Sequence, residues 1–161
     1  MRLRHIATLA LLICGAVPAR AQLRASSVLT LEGARNIVAA AEAEAVKNKW
    51  PMSIAIVDAS GGLVLFHKLD GSRPSNVDFA QAKARTAARY QRTTRSLDSV
   101  ITAGRIQLLA SDALPIEGGE PIIVDGQVIG AVGVSGATAA QDAQVARAGI
   151  AALKTSIIRD R

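Results

Sequence analysis

Two tight turns constrain this chain more than any other feature. In "MSIAIVDASGGLVLFHKLDG" an Ile- and Val-rich run from Met52 to Ala59 meets Gly61-Gly62 and returns as Leu63 to Leu69. In "PIIVDGQVIGAVGVSG" the run from Pro121 to Val124 meets Asp125-Gly126 and returns towards Gly136. Asp-Gly and Gly-Gly tolerate the positive φ of a two-residue hairpin turn, and strands joined that way are antiparallel neighbours. Helical patterns precede, separate and follow the two hairpins. The order α-β-β-α-α-(β)-β-β-α predicts an α+β domain built on a single antiparallel sheet.

The helices carry their own start and stop signals. In "LTLEGARNIVAAAEAEAVKNKW", Thr30 caps the start and Glu32 sits in the first turn, where negative charge suits the helix dipole. Leu31, Ala34, Ile37, Val38, Ala41 and Ala45 recur at helical spacing, and Pro51 stops the run. "PSNVDFAQAKARTAARY" predicts a second helix, with Ser75 and Asp78 as a capping box and Val77, Ala80, Ala84 and Ala87 as a narrow small-residue face. "SLDSVITAG" predicts a short third helix. "IQLLASDALPIEGGE" reads as a turn of helix and then a short edge strand. Thr138 with Gln141 fits a capping box that opens a last helix from Ala139 to about Ile158.

Residues 1–21 read as a leader outside this domain. Arg2 and Arg4 precede the apolar run Ile6 to Val17, and "PARA" ends on Ala19 and Ala21. Basic start, greasy core and A-x-A exit form the pattern of a secretory signal peptide cleaved before Gln22. The run is too short for a membrane span, which needs about 20 residues. The expected protein is periplasmic or secreted, with residues 22–161 as one domain. Cys14 leaves with the leader, so no disulfide or thiolate metal site is expected. Losing Arg2, Arg4 and Arg20 takes three charges from the formal +6. The remaining surface is mildly basic and has few aromatics, a poor match to nucleic-acid binding.

"GAVGVSG" raises the question of a phosphate cradle. It is not G-x-G-x-x-G, and Gly130 and Gly133 fall inside a strand that starts at a hairpin, not at the turn of a parallel βαβ unit. Two readings stay open: glycines that permit close backbone approach, or a helix N-terminus beside Ser135 and Thr138 that takes a small anion.

"LTLEGARNIVAAAEAEA", "PMSIAIVDASGGLVLFHKLDGSRPSNVDFAQAKARTAA" and "GGEPIIVDGQVIGAVGVSGATAAQDAQVARAGIAAL" resemble the GlcG/HbpS-like family of haem-binding proteins, which includes the C-terminal domain of PduO-type proteins. The resemblance runs from Leu29 to Leu153. It implies an antiparallel sheet of about five strands flanked by helices, similar to a profilin- or PAS-like sandwich. It also implies a homo-oligomer and haem as ligand.

His67 is the imidazole that remains after residues 1–21, because His5 lies in the leader. Strand alternation puts it on one face with Leu63, Leu65 and Leu69. That face suits haem, which takes an apolar slot and an axial nitrogen, and it equally suits an ordinary half-buried strand histidine. Tyr90 and Met52 are the other candidate haem ligands. Lys83 lies beside the small face of the second helix. It is either a snorkelling stem with a wet ammonium or a cation held over a pocket for a carboxylate. Arg73, Arg85 and Arg89 offer bidentate carboxylate contacts or a solvated basic face. One histidine and no cysteine cannot build the usual zinc shells.

Three readings follow. The first is an exported haem-binding protein with His67 on the iron. The second is an enzyme or accessory protein for a small carboxylate or keto-acid, using Lys83 and the Ser135–Thr138 turn. The third is an oligomeric sensor without chemistry.

Overall fold

The computed structural model describes the backbone of residues 27–159 and the side chains of residues 27–153. The leader at 1–21, its cleavage before Gln22 and Cys14 lie outside the described residues.

Helix α1 (Leu31–Lys47) starts where Thr30 accepts the Gly33 N–H at 3.0 Å. Ala34, Ile37, Val38, Ala41 and Ala45 form its buried stripe, while Leu31, in the first turn, is largely exposed. Strands β1 (Ser53–Asp58) and β2 (Leu63–Lys68) form the first hairpin. Its turn is held by Asp58, whose Oδ1 accepts the Ser60 N–H, the Ser60 O–H and the Gly62 N–H. The Ser60 hydroxyl, then the Gly62 amide, hold this carboxyl below its ordinary value.

Helix α2 (Pro74–Tyr90) lacks the expected Ser75–Asp78 capping box: Arg73 is the N-cap, without a side-chain bond, and Pro74 takes the first helical turn. Proline's fixed φ and missing N–H suit that position, and they place Ser75 inside the helix, where it cannot cap. Helix α3 (Thr94–Thr102) is capped by Thr93, which accepts the Ser96 N–H at 3.1 Å. A 3-10 turn follows at Ile106–Ala110. The short extra strand expected before Gly119 does not form. Pro115 has no N–H for a ladder, and Gly118 at φ +122° breaks the extended run.

Strands β3 (Gly119–Val124) and β4 (Gln127–Ser135) meet at Asp125 and Gly126, both at positive φ as a type I′ turn requires. Helix α4 (Ala139–Arg159) opens on the expected capping box: Thr138 N–H donates to Gln141 Oε1 at 3.1 Å, and Gln141 N–H to Thr138 Oγ1 at 3.4 Å.

The sheet has four strands rather than about five, in the order β2-β1-β4-β3, antiparallel throughout. The fold is α+β, with helices on both faces. On one face α1 and α4 bury Ile37 and Val145 against Ile54, Ile56, Ile122 and Val132. On the other, Ala80, Ala84 and Ala87 of α2 lie against Ala55, Val57 and Ala131. Small residues on both sides bring α2 close to the sheet. A Cβ on Gly133 would collide with the Ala80 carbonyl oxygen and the Ala84 amide. The strand glycine therefore serves close packing of helix on strand.

A bulge changes the expected face of β2. Val57 lies opposite Leu63 and Ile56 opposite Leu65, so Val64 is the extra residue. Val64, Leu65 and Leu69 pack towards α1, and Leu63 is turned into solvent. Among the described residues no helix is long and apolar enough to cross a membrane.

Candidate functional site

Two places gather the candidate side chains, one on each side of the sheet. The first lies beside α1. His67, on edge strand β2, points its Nδ1 at Glu42 Oε2 of α1, 2.9 Å away. A carboxylate accepts and does not donate, so in the neutral ring Nδ1 carries the hydrogen and Nε2 the lone pair. Nε2 has no hydrogen-bond partner among the described residues, and the side chain is 42 % exposed. Glu42 also lines an open cleft of about 440 Å³, with Val46, Trp50 and Leu69 as its apolar part and Lys49 as its cation. Through its contact with Glu42, the imidazole adjoins this cleft.

The second place lies between the first half of α2 and the first turn of α4. Lys83 and Asp142 are each 2 % exposed. Lys83 Nζ donates to Asp142 Oδ2 at 2.7 Å and to the Val134 carbonyl at 3.0 Å. Asp142 Oδ1 accepts the Ala137 N–H at 3.1 Å. Burial pushes the Asp142 carboxyl above its ordinary value, against the pull of Lys83 and of the Ala137 and Gly136 amides. The wet, snorkelling ammonium is thus ruled out. The carboxylate that Lys83 holds belongs to the chain itself, and it also takes amides of the Ser135–Thr138 turn. Thr138 spends its hydroxyl on the α4 cap.

An open cleft of about 300 Å³ lies over this pair, lined also by Arg73, Asn76, Phe79 and Ser135. The structure therefore brings Arg73, Lys83 and Ser135 together, with Thr138 in the adjoining cap, and leaves His67 at the separate α1 cleft. Asn76 Nδ2 donates to Ser72 Oγ at 3.1 Å, and Ser72 Oγ lies 2.9 Å from Ser53 Oγ. That buried polar chain runs beside Ser135, which faces Ser53 across the central strand pair.

The remaining candidates have local roles. Arg89 and Tyr90 both reach Asp112, at 2.8 and 3.0 Å, and Arg89 also donates to the Ser60 carbonyl. Arg85 donates to Gln81. Met52 is fully buried in the α1-side core, which removes it as an accessible ligand. Among the described residues no group of three or more His, Cys, Asp and Glu side chains is placed to hold a metal ion.

Sequence reasoning missed Glu42 and Asp142. Each pairs with a residue far along the chain, 25 and 59 positions away. Asp142 had one local signal, an acidic residue just after the Thr138–Gln141 capping box. Glu42 had none.

A family model described as "Haem degrading protein HbpS-like" matches residues 29–151. Protein GlcG of Escherichia coli (strain K12) is 43% identical over 109 residues, covering 67% of this chain and 81% of that protein. The crystal structure of a double mutant of Streptomyces reticuli HbpS superposes with a TM-score of 0.75 at 31% identity, covering 92% of this chain and 97% of that one. The crystal structure of a PduOC:heme complex superposes with a TM-score of 0.72 at 27% identity, covering 78% and 95%.

Proposed function

The chain belongs to the HbpS-like family, and from that premise we propose that it is an exported haem-binding protein. The observation that carries the reading is the Glu42–His67 contact beside the Trp50 cleft. The donor set suits haem. His67 Nε2 supplies a neutral axial nitrogen, Glu42 fixes the ring, Trp50, Val46 and Leu69 offer apolar surface to a macrocycle, and Lys49 offers a cation to a propionate. Bound haem would supply a redox-active iron; the chain's own residues hold and orient it.

Residues 1–21 direct export to a periplasmic or extracellular site, on the strength of their basic-apolar-small pattern. We assign a homo-oligomer to the working form. The exposed Ile106 and Leu109, three residues apart on the 3-10 turn, support it, since neighbouring exposed apolar side chains are the kind of surface that marks a protein interface. Handling or sensing of haem is the role assigned.

The test is a titration of ferric haem into the purified protein. The reading expects a saturable, sharpened Soret band at one haem per chain or per pair of chains, and its collapse in His67→Ala. A broad, unsaturable band in both proteins would overturn it.

A further inference from the structure

The cleft between the starts of α2 and α4 carries features that haem binding at His67 does not use. Both helices are long, 17 and 21 residues, and both point their N-termini at this cleft through Ser75, Asn76 and Ala139. The start of α2 has no side-chain cap, and the Ser75 N–H has no partner among the described residues. Unpaired amides and the positive end of a helix dipole favour an anion. A second observation is independent of the helices. Ser135 is 7 % exposed, lines the cleft, and its hydroxyl has no hydrogen-bond partner among the described residues. That hydroxyl opens onto the cleft and is free to donate to a ligand oxygen there.

Charge sets the sign of the ligand. Lys83 and Asp142 both lie in the floor, but they neutralise one another at 2.7 Å. Arg73 makes no ion pair among the described residues and is the uncompensated charge of the lining. A guanidinium matches a carboxylate in two parallel hydrogen bonds. Apolar surface sets the rest of the ligand. Phe79 and Ile116, both exposed, form one wall. Phe79 also opens onto an apolar recess of about 170 Å³ with Ala82 and Leu114.

We propose that this cleft binds a small carboxylate with a short apolar tail, its head on Arg73, the Ser75 amide and the Ser135 hydroxyl, its tail along Phe79. The assignment is independent of the haem reading and needs no bond to be made or broken.

The probe is butyrate, with butyramide as the neutral isostere and acetate as the tail-less anion, followed by calorimetry and by amide NMR shifts. Butyrate should bind at one site per chain, shift Ser75 and Ala139, and bind about tenfold more tightly than butyramide. Arg73→Ala should weaken it about tenfold, with partial rescue by Arg73→Lys. Ser135→Ala should weaken butyrate severalfold while leaving the melting temperature near that of the parent. Phe79→Ala should erase the preference for butyrate over acetate. No binding at millimolar butyrate, equal binding of butyramide, or an unchanged Arg73→Ala overturns the site. Displacement by inorganic phosphate with no preference for a tail overturns the ligand class.

Discussion

Lys83 Nζ sits 2.7 Å from Asp142 Oδ2, with both side chains almost wholly buried. The pair ties the middle of α2 to the first turn of α4 over the end of β4. Removing one partner leaves the other charge buried alone, which costs about 3–5 kcal/mol. Lys83→Met should therefore lower the denaturation midpoint sharply, with Asp142→Asn also costly. Lys83→Met with Asp142→Leu should cost much less than the sum. Additive losses in that double-mutant cycle would show that the two groups do not act as a pair.

Gly133 lies under α2 with no room for a side chain. Gly133→Ala should destabilise by about 1–3 kcal/mol and Gly133→Val by more, since either forces α2 away from the sheet. Equilibrium denaturation checks this. A valine variant as stable as the parent would mean that the helix stands further off.

Glu120 is buried on β3 and reaches Arg147 at 2.9 Å. Burial pushes its carboxyl above the ordinary value, with Arg147 pulling it back and Glu117 adding repulsion. A raised acid favours its protonated form in the fold. Its stabilising contribution is complete below the ordinary glutamate pKa and is lost as pH rises through the raised one. Glu120→Gln cannot ionise, so its melting temperature relative to the parent should climb across that window and then level off. Thermal melts from about pH 4 to about pH 8 read this directly. A relative fall over the same range would mean that the Arg147 contact dominates.

Glu42 acts on haem through His67. Glu42→Gln can still accept the Nδ1 hydrogen but loses the carboxylate charge, so the haem-loaded protein should keep a nitrogen-ligated spectrum while its iron reduction potential rises. Unchanged potential, with His67→Ala still abolishing the spectrum, would leave His67 as ligand and remove Glu42 from its support.

A mature chain beginning at Gln22 is expected from the native host. Intact-mass measurement on the exported protein checks it, and retention of Met1 to Ala21 or lipidation of Cys14 would refute it.

Much of this fold was legible because its signals are local. Asp125-Gly126, Thr30 and Thr138-x-x-Gln141 each act within four residues, and each forms as expected. Where a local signal competed with another, the stiffer one prevailed. Pro74 displaced the Ser75 cap, and Pro115 with Gly118 suppressed a strand. The bulge at Val64, which turned Leu63 outward, depends on the match of β2 to β1 and leaves no trace in β2 alone. The sites were legible only in part. Lys83 stood out as a charge beside alanines, but whether solvent, ligand or protein would meet it depended on Asp142. That partner arrives only when α4 docks. Arg73, Lys83 and Ser135 converge because β4 runs antiparallel beside β1 and ends where α2 begins, a fact of topology that no spacing encodes.

The central strand pair has a kinetic consequence. Each hairpin closes through a turn of a few residues, but β1 meets β4 with Ser53 opposite Ser135, 82 positions along the chain. The two hairpins are cheap in loop entropy and the seam between them is dear. Folding should therefore wait on that seam. Substitutions on the β1–β4 interface, such as Ile56→Val, should slow refolding. Substitutions confined to the Asp125-Gly126 turn should also slow it if the hairpin is formed by then, and both should leave unfolding comparatively untouched. Until the seam closes, each hairpin exposes an unpaired edge, so dilute refolding should give more native protein than concentrated refolding.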